Sequence, residues 1–180
     1  MEKTDFELLL LKTVFACMAC DQAIDAKEVT HIQQRAKERS LFGALDLAAE
    51  LKRLQAEMNV QGYGFFRHYF AEVATASLDK SQQLQLLEAA IDMIEANEEV
   101  EYAEVKFIKL IRSELSITDE EILAGNPNHS EYLKQDVVSP SYKEKLMSQF
   151  FVDDSFPVLL VPDFGGGGNT SGEPALDEGA

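Results

Sequence analysis

Apolar residues recur at three- and four-residue steps along most of the chain, a spacing that predicts helices rather than strands. Phe6, Leu9, Leu10, Thr13, Val14 and Cys17 form the first such stripe and mark one buried face of an opening helix. The pattern breaks at "DQAID", and Val29, Ile32 and Ala36 begin a second helix capped by Asp25. Residues 44–58 predict a third, with Leu47, Leu51, Leu54 and Met58 inward, ended by "VQGYG". A fourth spans residues 65–78, and Asp79 caps a fifth on which Leu84, Leu87, Ile91 and Ile94 keep the spacing. After "NEEVE", Val105, Ile108 and Leu115 carry a sixth. Thr118 with Glu121 is a capping-box start for a short seventh, stopped by "GNPNH".

Beyond residue 125 the periodicity weakens. "SEYLKQD" holds one or two turns, and "SPSYKEKLMSQF" opens with a serine cap and a first-turn proline. "FPVLLVP" (residues 156–162) is apolar, bracketed by prolines, and therefore extended, with the option of docking along the helices. The last residues, "GGGGNTSGEPALDEGA", are acidic and glycine-rich and have no means of packing. No segment asks for a sheet. The expected architecture is all-α: one bundle of about seven helices over residues 1–125, a short helical extension over 126–151, and an irregular tail over 152–180.

The two halves of the bundle share a pattern. Offset by 76 positions, "ACDQAIDAKEVTHI" (residues 19–32) aligns with "EANEEVEYAEVKFI" (residues 95–108). Asp21 meets Asn97, Asp25 meets Glu101, Glu28 meets Glu104, Val29 meets Val105 and Ile32 meets Ile108. Two such helix–loop–helix units predict a duplicated helical domain. Related halves often pack about an approximate twofold axis, which would bring the two acidic loops to one side.

The composition sharpens that picture. The chain has 180 residues, is 46% hydrophobic and carries a net charge of −16. It can build a core, and it repels nucleic acid and anionic lipid while attracting cations or basic protein faces. Two cysteines, Cys17 and Cys20, one turn apart make no disulfide framework and fit the reducing cytoplasm. The apolar run after "MEKTDFE" lacks the basic start of a cleaved leader, and no apolar run reaches membrane-spanning length.

These motifs carry a resemblance. "ACDQAIDAKEV" at residues 19–29 and its echo "ANEEVEYAEV" at residues 96–105 resemble the loops of TerB, the tellurite-resistance helical domain, and of the wider TerB-like group. The resemblance covers residues 6–123. It departs at Gln22, where the family commonly has glycine, and at Asn97, where the second unit commonly has aspartate. It implies a compact helical bundle without catalytic activity and an acidic surface implicated in metal binding. It also implies a cytosolic place in a tellurite, metal or envelope stress response, at the inner face of the membrane through a membrane-protein partner, TerC.

Read from the residues alone, the acidic loops leave two possibilities. Asp25 with Glu28, and Glu101 with Glu104, have the spacing of helix caps, and the helix macrodipole favours carboxylates there. Capping does not account for Asp21, Glu95, Glu98 or Glu99, which sit in the loop or at the unfavourable end of the preceding helix. A hard divalent cation takes such oxygens, calcium first and magnesium second, and the candidate ligands are Asp21, Asp25, Glu28, Asn97, Glu101 and Glu104. The loop is no EF-hand, since Ala26 stands at the glycine position and Ile32 at the final glutamate position. One loop has too few donors, so a site needs both. The rival is a metal-free acidic adaptor that docks a basic face of a protein partner.

Other motifs reduce to packing. "CMAC" sits mid-helix on the apolar face, so its thiols read as buried rather than redox-active, and no second pair supplies zinc ligands. "QGYGFFRHY" has part of an RNA-binding pattern but lacks its basic residue and its strands; it reads as a turn sending Phe65, Phe66, Tyr69 and Phe70 into the core. His31, His68 and His129 stand alone and read as surface or core filler, His31 being the one near enough to Glu28 to offer an edge to the acidic site. There is no phosphate loop, dinucleotide fingerprint or activated nucleophile. The chain reads as a non-enzyme with no organic cofactor.

Overall fold

Eight α-helices and one 3₁₀ turn carry the described residues of this computed structural model, which are 2–39, 41–43, 45–96, 100–134, 156–160 and 164. In chain order the helices are α1 (Lys3–Ala19), α2 (Ala26–Arg39), α3 (Leu47–Gln61), α4 (Tyr63–Thr75), α5 (Lys80–Ile94), α6 (Tyr102–Glu114), α7 (Asp119–Gly125) and α8 (Ser130–Leu133). The 3₁₀ turn, Pro127–His129, joins α7 to α8. The fold is all-α, as the periodicity predicts, and no strand occurs among the described residues.

Local chemistry starts the helices where the sequence places them. The Asp79 side chain accepts from Gln82 N at 2.9 Å, and Gln82 returns a bond to Asp79 N at 3.1 Å. Thr118 and Glu121 exchange the same pair of bonds at 3.2 and 2.9 Å. Each box satisfies two backbone donors that the helix leaves unpaired. Boundaries differ by a few residues. α3 begins at Leu47 because Asp46 is its cap, accepting from Ala49 N at 3.1 Å. α4 begins at Tyr63 because Gly62, at φ +54°, lets the chain turn sharply out of α3 without a Cβ clash.

α1 corrects the expectation of a single buried face. Every residue from 9 to 20 except Lys12 is buried. The helix is the axis of the bundle, packed against α3, α4, α5 and α6, and a helix walled on all sides shows no polar face. Lys12 escapes by reaching outward: its Nζ lies 2.9 Å from Glu72 Oε2 and 5.3 Å from the centre of the Phe65 ring.

The aromatic stretch after Gly62 enters the core. Phe65, Phe66, Tyr69 and Phe70 are all buried, and Phe66 and Phe70 meet Phe107 of α6 at ring separations of 5.5 and 5.2 Å. The Tyr69 hydroxyl donates to Thr13 Oγ1 at 3.0 Å, and Thr13 donates onward to Leu9 O at 2.9 Å. This bundle therefore contains a satisfied polar chain at its centre. Gln83 of α5 performs a similar service at the edge: its Oε1 accepts from Ser116 N at 2.8 Å and Ile117 N at 3.2 Å, fixing the α6–α7 turn.

Among the described residues the extension after residue 125 is helical to Leu133, and the expected serine-capped helix from Ser139 lies outside them. Residues 156–160 are without regular structure and dock along the helices, with Leu159 and Phe164 buried. No helix among the described residues is long and apolar enough to cross a membrane.

Candidate functional site

The first acidic loop, between α1 and α2, is organised by its own carboxylates. Asp21 Oδ1 accepts from Ala23 N at 2.9 Å. Asp25 Oδ1 accepts from Lys27 N at 2.6 Å and Glu28 N at 3.0 Å, and Glu28 Oε2 accepts from Asp25 N at 2.9 Å. Asp25 and Glu28 thus cap α2 reciprocally. In the second loop Glu104 repeats the move, its Oε2 accepting from Glu101 N at 2.6 Å. The capping roles read from the spacing are present in both units.

The loops also meet. Glu28 and Glu104, at equivalent positions of the two units, are each buried, at 5% and 2% exposed. Burial pushes the Glu28 carboxyl up to about 8, with its bond from Asp25 N opposing and the charges of Asp21, Asp25 and Glu104 adding. Glu104 is raised for the same reason, burial first, then the charges of Asp21, Glu101 and Asp25. Asp21 is raised by burial and by Glu101 and Asp25, against the bond from Ala23 N. Charges of one loop act on those of the other, which requires that both share one region of negative potential. The charges of Asp21, Asp25, Glu28, Glu101 and Glu104 act on one another across the two loops. Asn97 lies outside the described residues, as do Glu98 and Glu99.

Four residues make contributions here that the motif spacing does not predict. Cys17 and Cys20 form an apolar floor: burial raises both thiols well above their ordinary range, and Glu104 and Glu28 add to the shift. Tyr132 of α8 donates its hydroxyl to Glu95 Oε1 at 2.9 Å, so the carboxylate at the C-terminal end of α5 has a donor. Burial and that bond raise the Tyr132 hydroxyl. Gln22 stands at φ +75°, in the left-handed region that favours glycine, and its side chain donates to Tyr63 Oη at 2.8 Å. The left-handed backbone of Gln22 is thus paired with a tie between the loop and α4.

His31 is engaged by α5. Its Nε2 lies 3.0 Å from Asp92 Oδ2, and Arg35 binds the other oxygen of Asp92 at 2.6 Å, an ion-pair cluster that ties α2 to α5. Among the described residues no group of three or more His, Cys, Asp or Glu side chains stands arranged to hold a metal ion. Glu28 and Glu104 each turn one oxygen back onto a backbone N–H, so the loops are set in a capped geometry. Comparison with known proteins finds no family model, no curated protein and no solved structure that matches the chain.

Proposed function

We propose that this chain is a TerB-like, non-enzymatic module whose two acidic loops together bind one divalent cation, calcium before magnesium. The carrying observation is the joint burial of Glu28 and Glu104 beside Asp21, Asp25 and Glu101. Buried carboxylates that repel one another need a proton or a cation. Each of four carboxylates already uses one oxygen on a loop N–H. A cation would take the second oxygen of Asp21, Asp25, Glu28 and Glu104, with Glu101 and Asn97 completing the shell. The capping bonds would hold those side chains oriented, so metal binding and helix starting use different atoms of the same groups. The role follows the resemblance: a cytosolic component of a metal, tellurite or envelope stress response, working through a membrane-protein partner like TerC.

The second reading is a metal-free adaptor whose acidic face docks a basic surface. The capped geometry supports it, since Asp21, Asp25, Glu28 and Glu104 each already give an oxygen to a backbone N–H. The two readings separate on one comparison. In the metal reading the melting temperature at pH 7.5 rises with calcium and saturates, and Asp25→Asn with Glu101→Gln, which keep the caps, abolish the rise. In the adaptor reading divalent ions leave the melt unchanged, and capture of the partner survives chelation but weakens with salt.

A further inference from the structure

The chain's own C-terminal segment sits on the helices in the manner of a bound peptide. Phe156 is held edge-on by Tyr63, with ring centroids 5.0 Å apart, and by Phe66 at 5.8 Å. Gly62 makes room for it: a Cβ there would stand 3.2 Å from Phe156 Cβ. Leu159 is 2% exposed and Phe164 3%, while Val158 and Leu160 between them are 70% and 86% exposed. Phe156 and Leu159, three residues apart, face the helices, while Pro157, Val158 and Leu160 face outward.

Side-chain amides read the backbone of this segment. Asn59 Oδ1 accepts from Leu159 N at 2.9 Å, and Gln55 Nε2 donates to Leu159 O at 3.1 Å, from one turn earlier on α3. Gln33 Nε2 of α2 donates to Phe164 O at 2.9 Å, beside a shallow groove lined by Ala36, Phe42, Leu45 and Ala48. Backbone bonds supply sequence-tolerant affinity, and the three anchored side chains supply spacing, which is the division of labour in peptide recognition. Val158 and Leu160 leave apolar surface of the segment uncovered.

We propose that the α2–α3–α4 face is a peptide-binding groove for an extended apolar segment of a partner protein, and that the strap anchored through Phe156, Leu159 and Phe164 occupies it as a built-in competitor. The preferred segment carries an aromatic residue, a leucine three positions on and a phenylalanine five beyond that. A partner segment of that spacing displaces the strap, and the strap sets the threshold through its high effective concentration, in the millimolar range for short tethers.

The test uses the full chain and a fluorescent peptide of residues 154–166 read by polarisation. Full-length protein carrying Phe156→Ala and Leu159→Asp, which release the strap, should bind the peptide at least tenfold more tightly than the unmodified chain. Adding Asn59→Ala and Gln55→Ala should remove that binding, and a peptide with Leu159→Asp should not bind. A milder release, Leu159→Ser alone, should give an intermediate affinity. Circular dichroism should show an unchanged cooperative helical melt in the released protein. No binding to the released chain, equal binding to both chains, loss of the helical melt on release, or exchange of straps between two copies on light scattering would each overturn the proposal.

Discussion

The buried Glu28 makes a sharp statement about pH. In the unfolded chain its carboxyl titrates near 4.5, and in the folded protein burial carries it up to about 8. The folded state therefore holds the proton more tightly, and between these values stability falls as pH rises, flattening above 8. A shift of that size corresponds to a ceiling of about 4–5 kcal/mol. Asp21 and Glu104 are raised too, so they add slope of the same sign. Glu28→Gln removes the charge but keeps a side-chain oxygen for Asp25 N, since glutamine also serves at this capping position. With divalent ions chelated, the wild-type melting temperature should fall from pH 5 to pH 8.5. Glu28→Gln should match it at pH 5 and exceed it at pH 8.5 by at most about 8–20 °C, the ceiling above taken at roughly 2–4 °C per kcal/mol. Calcium should rescue the wild type most at high pH, where no proton has to be displaced, and should rescue the variant little. The reasoning is refuted if wild-type stability is flat or rises over this range, or if Glu28→Gln is less stable at pH 8.5.

Further outcomes follow from other parts of the bundle. Asp25→Ala should cost about 1 kcal/mol in urea melts, through the loss of two N–H bonds at the start of α2, while Asp25→Asn should cost much less. Thr13→Val strands the Tyr69 hydroxyl in the core and should cost about 1–3 kcal/mol, more than Tyr69→Phe, which removes that donor. Gln83→Ala should destabilise by about 2–3 kcal/mol, with hydrogen exchange speeding at the Ser116 and Ile117 amides, because both lose their acceptor. Cys17 and Cys20 should resist thiol reagents in native buffer and label at the rate of unfolding; stoichiometric labelling within minutes would show the floor of the acidic site to be open.

What the sequence discloses divides by range. Asp25 with Glu28, Asp79 with Gln82 and Thr118 with Glu121 are bonds between residues three apart, dictated by helix geometry, and they are legible from spacing alone. The duplicated loops are legible as well, since an aligned repeat needs no contact map. Tyr132 on Glu95, Gln83 on Ser116 and Asn59 on Leu159 join residues 37, 33 and 100 positions apart, and no local pattern predicts such pairs. The burial of α1 on all sides has a related cause. A stripe of apolar residues reports one face, but the environment of the remaining faces depends on which helices surround it. The crowding in "IEANEEVEYAE" resolves in parts: Tyr132 serves Glu95, Glu104 turns back onto the Glu101 N–H, and Glu98 and Glu99 lie outside the described residues.

The shared acidic site is tested most directly by titrating the full-length protein with calcium in two buffers of different ionisation enthalpy at pH 7.0. A cation held by Glu28 and its neighbours must displace the proton that burial retains there, so the account predicts one saturable binding event whose heat differs between the buffers by a net proton release, and whose proton release vanishes in Glu28→Gln. Absence of saturable heat for calcium, magnesium, manganese and zinc would contradict it, as would calcium binding with no proton released.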